Sequence, residues 1–239
     1  MTAQEAFNQL DPQKWAETSI YERLHLLEEV RSNLKKYKEE LAAADTKMKN
    51  GLMGEEIFRN PESLVATAVP IANTLTACIH LYESLVKGKM PEPESITKVK
   101  EGIYDIHVVP LDAKDKIISG TQKAYLRVKG EPKQVNPMDK PAGVIAVSGA
   151  GNYSSSLEMV KAMFLENCAV IHKPHRLNEE TDKVWEKIFK PLVEAKAIAF
   201  CSADQGRALT QLEGLYKIYF TGGTSTAKAI MSATDTLLI

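Results

Sequence analysis

Apolar residues recur every three or four positions through the first third of the chain, which is the spacing of one helix face. A capping-box pair, Ser19 and Glu22, precedes the first stripe, and Pro61 stands in the first turn of the second. The stripes are Leu24, Leu27, Val30, Leu34, Tyr37, Leu41, and then Leu64, Ala68, Ile71, Leu75, Cys78, Tyr82, Leu85. Pro70 is expected to kink the second helix without ending it, because the periodicity continues beyond it. Residues 1–88 are therefore predicted to form a helical segment that packs on a neighbouring domain.

Residues 89–140 have a different pattern, in which Pro and Gly punctuate short alternating runs. Two such runs are Ile103–Val109 and Ala124–Val128. Alternation of this kind predicts antiparallel strands or a β-ribbon, which is too small to form a core alone. Exposed ribbons commonly pair with another part of the chain or with a partner subunit. The segment is thus a candidate oligomerisation arm.

From residue 141 onward, short apolar runs alternate with helical patterns. The runs are Gly143–Val147, Ala169–His172, Ile198–Cys201 and Lys217–Phe220, with Leu237–Ile239 opening a further strand. Helices are expected over about 155–166 and 178–194, and from about 205 and 225. Such alternation predicts an α/β fold with a mostly parallel, Rossmann-like sheet over residues 141–239.

The chemically unusual residues fall where these predicted strands end. They occupy Ser148–Asn152, Lys173–Arg176, Ser202–Gly206 and Thr221–Thr224. Ligands of parallel sheets bind beyond the carboxyl ends of the strands, and glycine lets a backbone approach them closely. Four strand ends rich in glycine, lysine and hydroxyl groups therefore predict one binding site, and a nucleotide suits it.

Composition narrows the class of partner. The 239 residues carry a formal net charge of −1, with 44% hydrophobic and 26% charged residues. This balance favours neither nucleic acid nor an acidic membrane surface. No basic segment followed by an apolar core opens the chain, and no uninterrupted apolar stretch approaches the roughly 20 residues that a membrane helix needs. We therefore expect a cytoplasmic protein, and Cys168 and Cys201 are expected to be buried thiols.

Three ordered motifs together resemble the NAD(P)-dependent aldehyde dehydrogenase superfamily, in its N-terminal, cofactor-binding half. Gly143–Tyr153 is similar to that family's strand leading into its Pro-Trp-Asn-aromatic-Pro motif. Ala169–Pro174 resembles its Lys-Pro motif, and Ile218–Thr224 its Phe-Thr-Gly-Ser turn. The run from Trp15 to Leu41 also resembles the family's first long helix.

The resemblance implies roles for individual residues, each with a simpler structural alternative. Asn152 would donate to the oxyanion formed when a thiolate attacks an aldehyde, worth about 3–4 kcal/mol, or else cap a helix. Lys173 would bind the adenosine ribose hydroxyls, or else be solvated. Gly222 and Gly223 would admit a pyrophosphate to free N–H groups, or else form a simple tight turn. The implied cofactor-binding residues are Ser148, Lys173, Pro174, His175, Arg176, Gly206, Phe220, Thr221, Gly222 and Gly223.

The chain also departs from the family pattern. Ala150 and Gly151 replace the family's Pro-Trp, which removes an aromatic wall of the cofactor cleft. Arg176 stands where many members carry a Glu that accepts from the ribose, and a guanidinium suits a 2′-phosphate instead. The cofactor is thus NAD or NADP, with a lean to NADP and His175 as a second contact. Alternatively, Arg176 faces solvent or pairs with an acidic residue of the next helix.

The general-base Glu and nucleophilic Cys that the family places further along its chain are not matched within these residues. Both groups are needed for thiolate attack and thioester hydrolysis. We therefore expect the chain alone to be inactive, as a fragment of a full enzyme or as a short non-catalytic relative. The parent activity implied is oxidation of a small aldehyde to a carboxylic acid by a homo-oligomer. The alternatives are half of a CoA-acylating aldehyde dehydrogenase or acyl reductase, or a nucleotide-binding or oligomerising module.

Overall fold

The structure is a computed structural model that describes residues 1–110, 113–151 and 155–239. The described chain forms two compact units. The larger unit combines Met1–Val86 with Pro137–Ile239, and the smaller consists of Lys87–Asn136. The N-terminal helices and the parallel sheet therefore share one unit.

Four helices open the larger unit. They are α1 (Ala3–Phe7), α2 (Pro12–Glu17), α3 (Ile20–Met53) and α4 (Asn60–Val86). At the start of α3, the Ser19 hydroxyl accepts from the Glu22 N–H at 3.2 Å, and the Glu22 carboxylate accepts from the Ser19 N–H at 3.0 Å. The predicted capping box is thus confirmed, and α4 continues through Pro70 as expected.

A five-stranded parallel sheet forms the second part of the larger unit. Its strands are β4 (Val144–Ser148), β5 (Ala169–Lys173), β6 (Ile198–Phe200), β7 (Leu215–Phe220) and β8 (Leu237–Leu238), in the order β6-β5-β4-β7-β8. The helices that follow these strands are α6 (Ser156–Phe164), α7 (Glu179–Ile188), α8 (Lys190–Glu194), α9 (Gly206–Thr210) and α10 (Thr224–Ala233). The predicted α/β fold is confirmed.

Both faces of the sheet are buried. Val144 and Ala146 of β4 join a core cluster that includes Leu209 of α9 and Ile230 of α10. The alternate residues of the strand are also fully buried and point to the opposite face, where α6 packs against β4 and β5. Burial on both faces explains why these strands are continuous apolar runs.

The expectation of one helix over residues 178–194 is wrong. The chain forms α7 and then α8, which begins at Lys190. Pro191 lies in the first turn of α8 and has no N–H to continue the ladder of α7. The segment between β5 and β6 is therefore two short helices.

A buried polar and aromatic junction ties the N-terminal helices to the segment around α6. Arg23 is fully buried, and its guanidinium donates to the carbonyl of Trp15 and to Asn167 Oδ1 at 2.6 Å. It also lies 4.3 Å from the centre of the Trp15 ring. Tyr82 of α4 donates to the carbonyl of Phe164 at 3.0 Å, and their rings meet edge to face. The guanidinium is thus satisfied by neutral oxygens and a π face.

The smaller unit is a three-stranded antiparallel sheet with one short helix. Its elements are β1 (Ile96–Lys100), β2 (Ile103–Val109), α5 (Ala113–Ser119) and β3 (Ala124–Lys129). Strand β2 lies in the centre, and Arg127 donates to both carboxylate oxygens of Asp105 at 2.7 and 2.8 Å across the β2–β3 pair. The predicted antiparallel strands are confirmed, whereas α5 was not predicted.

One helix of the described chain, α4, is long and apolar enough to cross a membrane by length and composition. Polar residues such as Thr67, Asn73 and Thr76 interrupt it, so α4 meets this criterion by its mean composition and not by an uninterrupted apolar stretch. In the structure α4 packs along α3 and buries nine residues. The core helix of a folded domain meets the same length and composition criteria.

The Glu166 carboxylate pairs with two lysines, Lys217 and Lys140. Its carboxylate accepts from Lys217 at 2.9 Å and lies 3.4 Å from the Lys140 ammonium. Burial acts to raise the pKa of Glu166, but the hydrogen bond from Lys217 and the charge of Lys140 outweigh it, so the pKa is lowered. The ionised Glu166 carboxylate therefore stabilises the folded state above the pKa that this group has in the unfolded chain. The stabilisation is lost as the pH falls through the pKa of Glu166 in the folded state.

We predict that Glu166→Gln lowers the free energy of unfolding by about 1 kcal/mol at pH 7. The difference from wild type should shrink as pH falls below about 4, where the carboxyl is protonated in both states. Urea unfolding at several pH values measures it. Glu194→Gln is the control, because Glu194 pairs with Lys190 at 3.6 Å on an exposed surface. A pH-independent difference between Glu166→Gln and wild type would contradict the prediction.

Candidate functional site

Three neighbouring strands end at the same edge of the sheet. Ser148, the last residue of β4, is paired with Lys173 of β5 on one side and with Phe220 of β7 on the other. Since β5 and β6 extend the sheet on one side of β4, and β7 and β8 on the other, the strand order reverses here. This switch point is where ligands of open parallel sheets bind.

A cavity of about 910 Å³ opens at this switch point. The predicted residues that line it are Ser148, Lys173, His175, Gly206, Phe220, Thr221, Gly222 and Gly223. The structure thus brings together residues from four separate strand ends.

Three predicted residues are not among those that line it. Pro174 borders a second cavity, of about 300 Å³, and Arg176 is exposed in the turn before α7. Asn152, the predicted oxyanion donor, lies outside the described residues.

The loop after β4 is held by main-chain contacts. The Gly149 N–H donates to the Lys173 carbonyl at 2.8 Å. The side-chain amide of Asn178, through Nδ2, donates to the main-chain carbonyl of Ala150 at 2.5 Å. A Cβ at Gly149 would lie 3.0 Å from the His175 nitrogen and 3.1 Å from the Lys173 oxygen. Glycine is therefore required for the loop to lie this close to the end of β5.

The turn after β7 depends on a second close approach. A Cβ at Gly222 would lie 2.5 Å from the Phe220 ring. Gly223 is the N-cap of α10, and no side chain caps the helix there. A Cβ at Gly223 would meet no described atom within 4 Å. The N-terminus of α10 therefore faces open space beside the cavity, with unpaired N–H groups.

Lys173 is buried at the floor of the cavity, with 8% of its surface exposed. Its ammonium donates to the carbonyl of Pro174 at 2.8 Å. Burial lowers the pKa of Lys173, because desolvation disfavours the charged form, and the nearby charge of Arg176 acts in the same direction. The ammonium is thus fixed in position and keeps further donors for a ligand.

His175 forms one wall. Its ring lies against Gly151, whose Cβ would be 3.1 Å from the nearest ring atom. The Leu177 N–H donates to His175 Nδ1 at 3.3 Å. In the neutral ring the proton is therefore on Nε2, which makes that nitrogen a hydrogen-bond donor.

Sequence reasoning missed the contribution of α9 and α10. The lining residues they add are Arg207, Thr210, Thr226, Ala229, Ile230 and Ala233. Arg207 directly follows Ser202–Gly206, the strand-end stretch that was predicted. Extending each such stretch by one helical turn would have included it.

The lining combines two kinds of surface. Lys173, His175 and Arg207 contribute cationic or donor groups, and none of the described lining residues is an Asp or Glu. Helix α10 contributes an apolar side with Ala229 and Ile230. The cavity can therefore hold a ligand with one flat, apolar group and several anionic oxygens.

None of the cysteines provides a reactive thiolate. All three are free and buried, as expected for Cys168 and Cys201. Burial raises the pKa of Cys78 to about 12 and that of Cys168 and Cys201 to about 11. Each is a protonated thiol at neutral pH.

Comparison with solved structures identifies the architecture. The chain is similar to an aldehyde dehydrogenase from Bartonella henselae, with a TM-score of 0.63 and 16% identity over 99% of this chain and 43% of that one. The fold is that of the aldehyde dehydrogenases. No protein-family model and no curated protein sequence matches the chain.

Two further aldehyde dehydrogenase-fold structures contain a bound dinucleotide. One is an NADP-dependent glyceraldehyde-3-phosphate dehydrogenase from Bacillus halodurans with NADP, with a TM-score of 0.59 and 13% identity over 99% of this chain and 44% of that one. The other is a betaine aldehyde dehydrogenase variant from Staphylococcus aureus with NAD+, with a TM-score of 0.57 and 14% identity over 94% and 38%. The chain spans less than half the length of each of these three proteins.

We predict that Gly149→Ala destabilises the protein by about 1–3 kcal/mol, because the new methyl group presses on the main chain of β5. Gly223→Ala is the matched control from the same cavity and should cost less than about 1 kcal/mol, since its Cβ enters open space. Thermal unfolding followed by circular dichroism compares the two. Equal melting temperatures would show that the approach at Gly149 is not a constraint.

Proposed function

We propose that this chain is the dinucleotide-binding part of an aldehyde dehydrogenase, an enzyme that oxidises an aldehyde to a carboxylic acid with NAD(P). The observation that carries the proposal is the cavity at the switch point of β4 and β7, within this fold. Its two glycine turns, its buried lysine and the exposed N-terminus of α10 suit a pyrophosphate and a ribose.

The described residues fit such a cofactor. Gly222 and Gly223 leave room for the pyrophosphate at the N-terminus of α10. Lys173 would donate to the adenosine ribose hydroxyls, beside the main chain of Pro174. The adenine would lie between α9 and α10, near Gly206 and Ile230. When bound, the dinucleotide supplies the acceptor for a hydride from the substrate.

We further propose that NADP is preferred over NAD. The described lining lacks the carboxylate that would repel a 2′-phosphate. Lys173 and His175, at the end of β5, both line the cavity and offer donors. A dianionic phosphate is favoured in such surroundings.

We propose that these 239 residues alone do not turn over aldehydes. Thiolate attack needs a Cys with a lowered pKa, and burial raises the pKa of all three cysteines. Asn152 would polarise the aldehyde oxygen by hydrogen bonding. The aldehyde itself is left open.

The test of the proposed function is ligand binding. Titration calorimetry with NADP, NAD, CoA and ATP should give binding of a nicotinamide dinucleotide. Lys173→Met should weaken that binding by about 10- to 100-fold, the range for losing a charged hydrogen-bond donor. Lys190→Gln, on the exposed surface of α8, is the control and should change nothing. Binding of CoA in addition to a dinucleotide would favour the acylating alternative, and a protein that binds neither dinucleotide would refute the proposal.

We also propose that the smaller unit joins copies of the chain into a homo-oligomer. Ile96, Ile106 and Leu126 are paired across the three strands and therefore share one face. Ile96 and Leu126 are each about half exposed, at 51% and 53%. An apolar sheet face with two unpaired edges is suited to pairing with a second copy.

We predict that Leu126→Glu lowers the oligomeric state at micromolar concentration, because it places a charge on this apolar face. Thr97→Lys is the matched control. Thr97 is paired with Asp105 on the opposite face, so the substitution should leave association intact. Sedimentation velocity measures both. Wild type that sediments as a clean monomer would refute the proposal.

A further inference from the structure

We infer that Arg207 is the residue that selects for the 2′-phosphate of the dinucleotide, and that Arg176 takes no part. The inference rests on the proposed function and assigns to Arg207 a specificity role within that site. Arg207 lines the cavity, whereas Arg176 does not.

Arg207 lies in the first turn of α9, which starts beside the last residue of β5. Gly206, the first residue of α9, lies against the Lys173 side chain, and its Cβ would be 3.7 Å from Lys173 Cδ. The next residue along the helix is Arg207, and it lines the same cavity as Lys173 and Gly206.

The guanidinium of Arg207 is available for a ligand. No ion pair or side-chain hydrogen bond holds it among the described residues. The nearest carboxylate in sequence, Asp204, accepts from Gln205 Nε2 at 3.2 Å. Arginine binds phosphate through two parallel N–H donors and keeps its charge at any physiological pH.

Lys173 alone is a weaker basis for phosphate selection. It is buried, and one of its donors is already directed at the carbonyl of Pro174. Its remaining donors suit the ribose hydroxyls, which both dinucleotides possess. The exposed Arg207 guanidinium lines the same cavity, is unpaired among the described residues, and adds the charge that only the 2′-phosphate requires.

The experiment compares Arg207→Gln with Arg176→Gln by titration calorimetry. Both residues are exposed, so neither substitution should disturb folding. Arg207→Gln should weaken NADP binding by about 10- to 100-fold and change NAD binding by less than about 2-fold. Arg176→Gln should change neither affinity by more than about 2-fold.

A fragment probe separates this inference from the proposed function. Adenosine 2′,5′-bisphosphate should lose affinity in Arg207→Gln in parallel with NADP, whereas 5′-AMP should not. An unchanged NADP-to-NAD ratio in Arg207→Gln, or an equal loss in Arg176→Gln, would overturn the inference while dinucleotide binding still stood. Wild type that binds neither dinucleotide would overturn both.

Discussion

The parallel pairing of β4 with a strand on each side is the constraint on which the site depends. Because β5 and β7 run in the same direction as β4, their carboxyl ends meet at Ser148. The chain must therefore leave each of these strands at the same edge of the sheet, and it runs back along the sheet as a helix. The glycine turns, the buried lysine and the starts of α9 and α10 are brought together by this geometry, although they are separated by up to about 75 positions in the chain.

The glycine turns determine the shape of the cavity, and two side chains determine its charge. The glycines at 149 and 222 allow close approaches of backbone and ring, which give the cavity its shape. Lys173 and Arg207 supply charge, but they differ in freedom. The lysine is buried and held by a carbonyl, whereas the arginine is exposed and unpaired among the described residues.

The sequence predicted the architecture well because its signals were periodic. Alternation of apolar runs with helical patterns indicated the parallel sheet, and Ser19 with Glu22 marked the start of α3. Single residues in short helices carried no such signal. Pro191 lies in the first turn of α8 instead of continuing a longer helix, and Arg207 lies in a five-residue helix without a detectable period. Whether a polar side chain faces a cavity or solvent, as for Arg207 and Arg176, depends on tertiary packing that a local pattern does not encode.

The buried Arg23 makes the two outer stretches of the chain inseparable. Its guanidinium reaches the carbonyl of Trp15 and the side chain of Asn167, so it belongs equally to the helical part and to the sheet part. Removing the sheet part would take away the bond to Asn167 and part of the packing that covers the buried guanidinium, which is costly. By contrast, residues 87–136 leave the larger unit at Val86 and return to it at Pro137. The middle of the chain is therefore a compact unit of its own, whereas its two ends form one unit and meet at the buried Arg23.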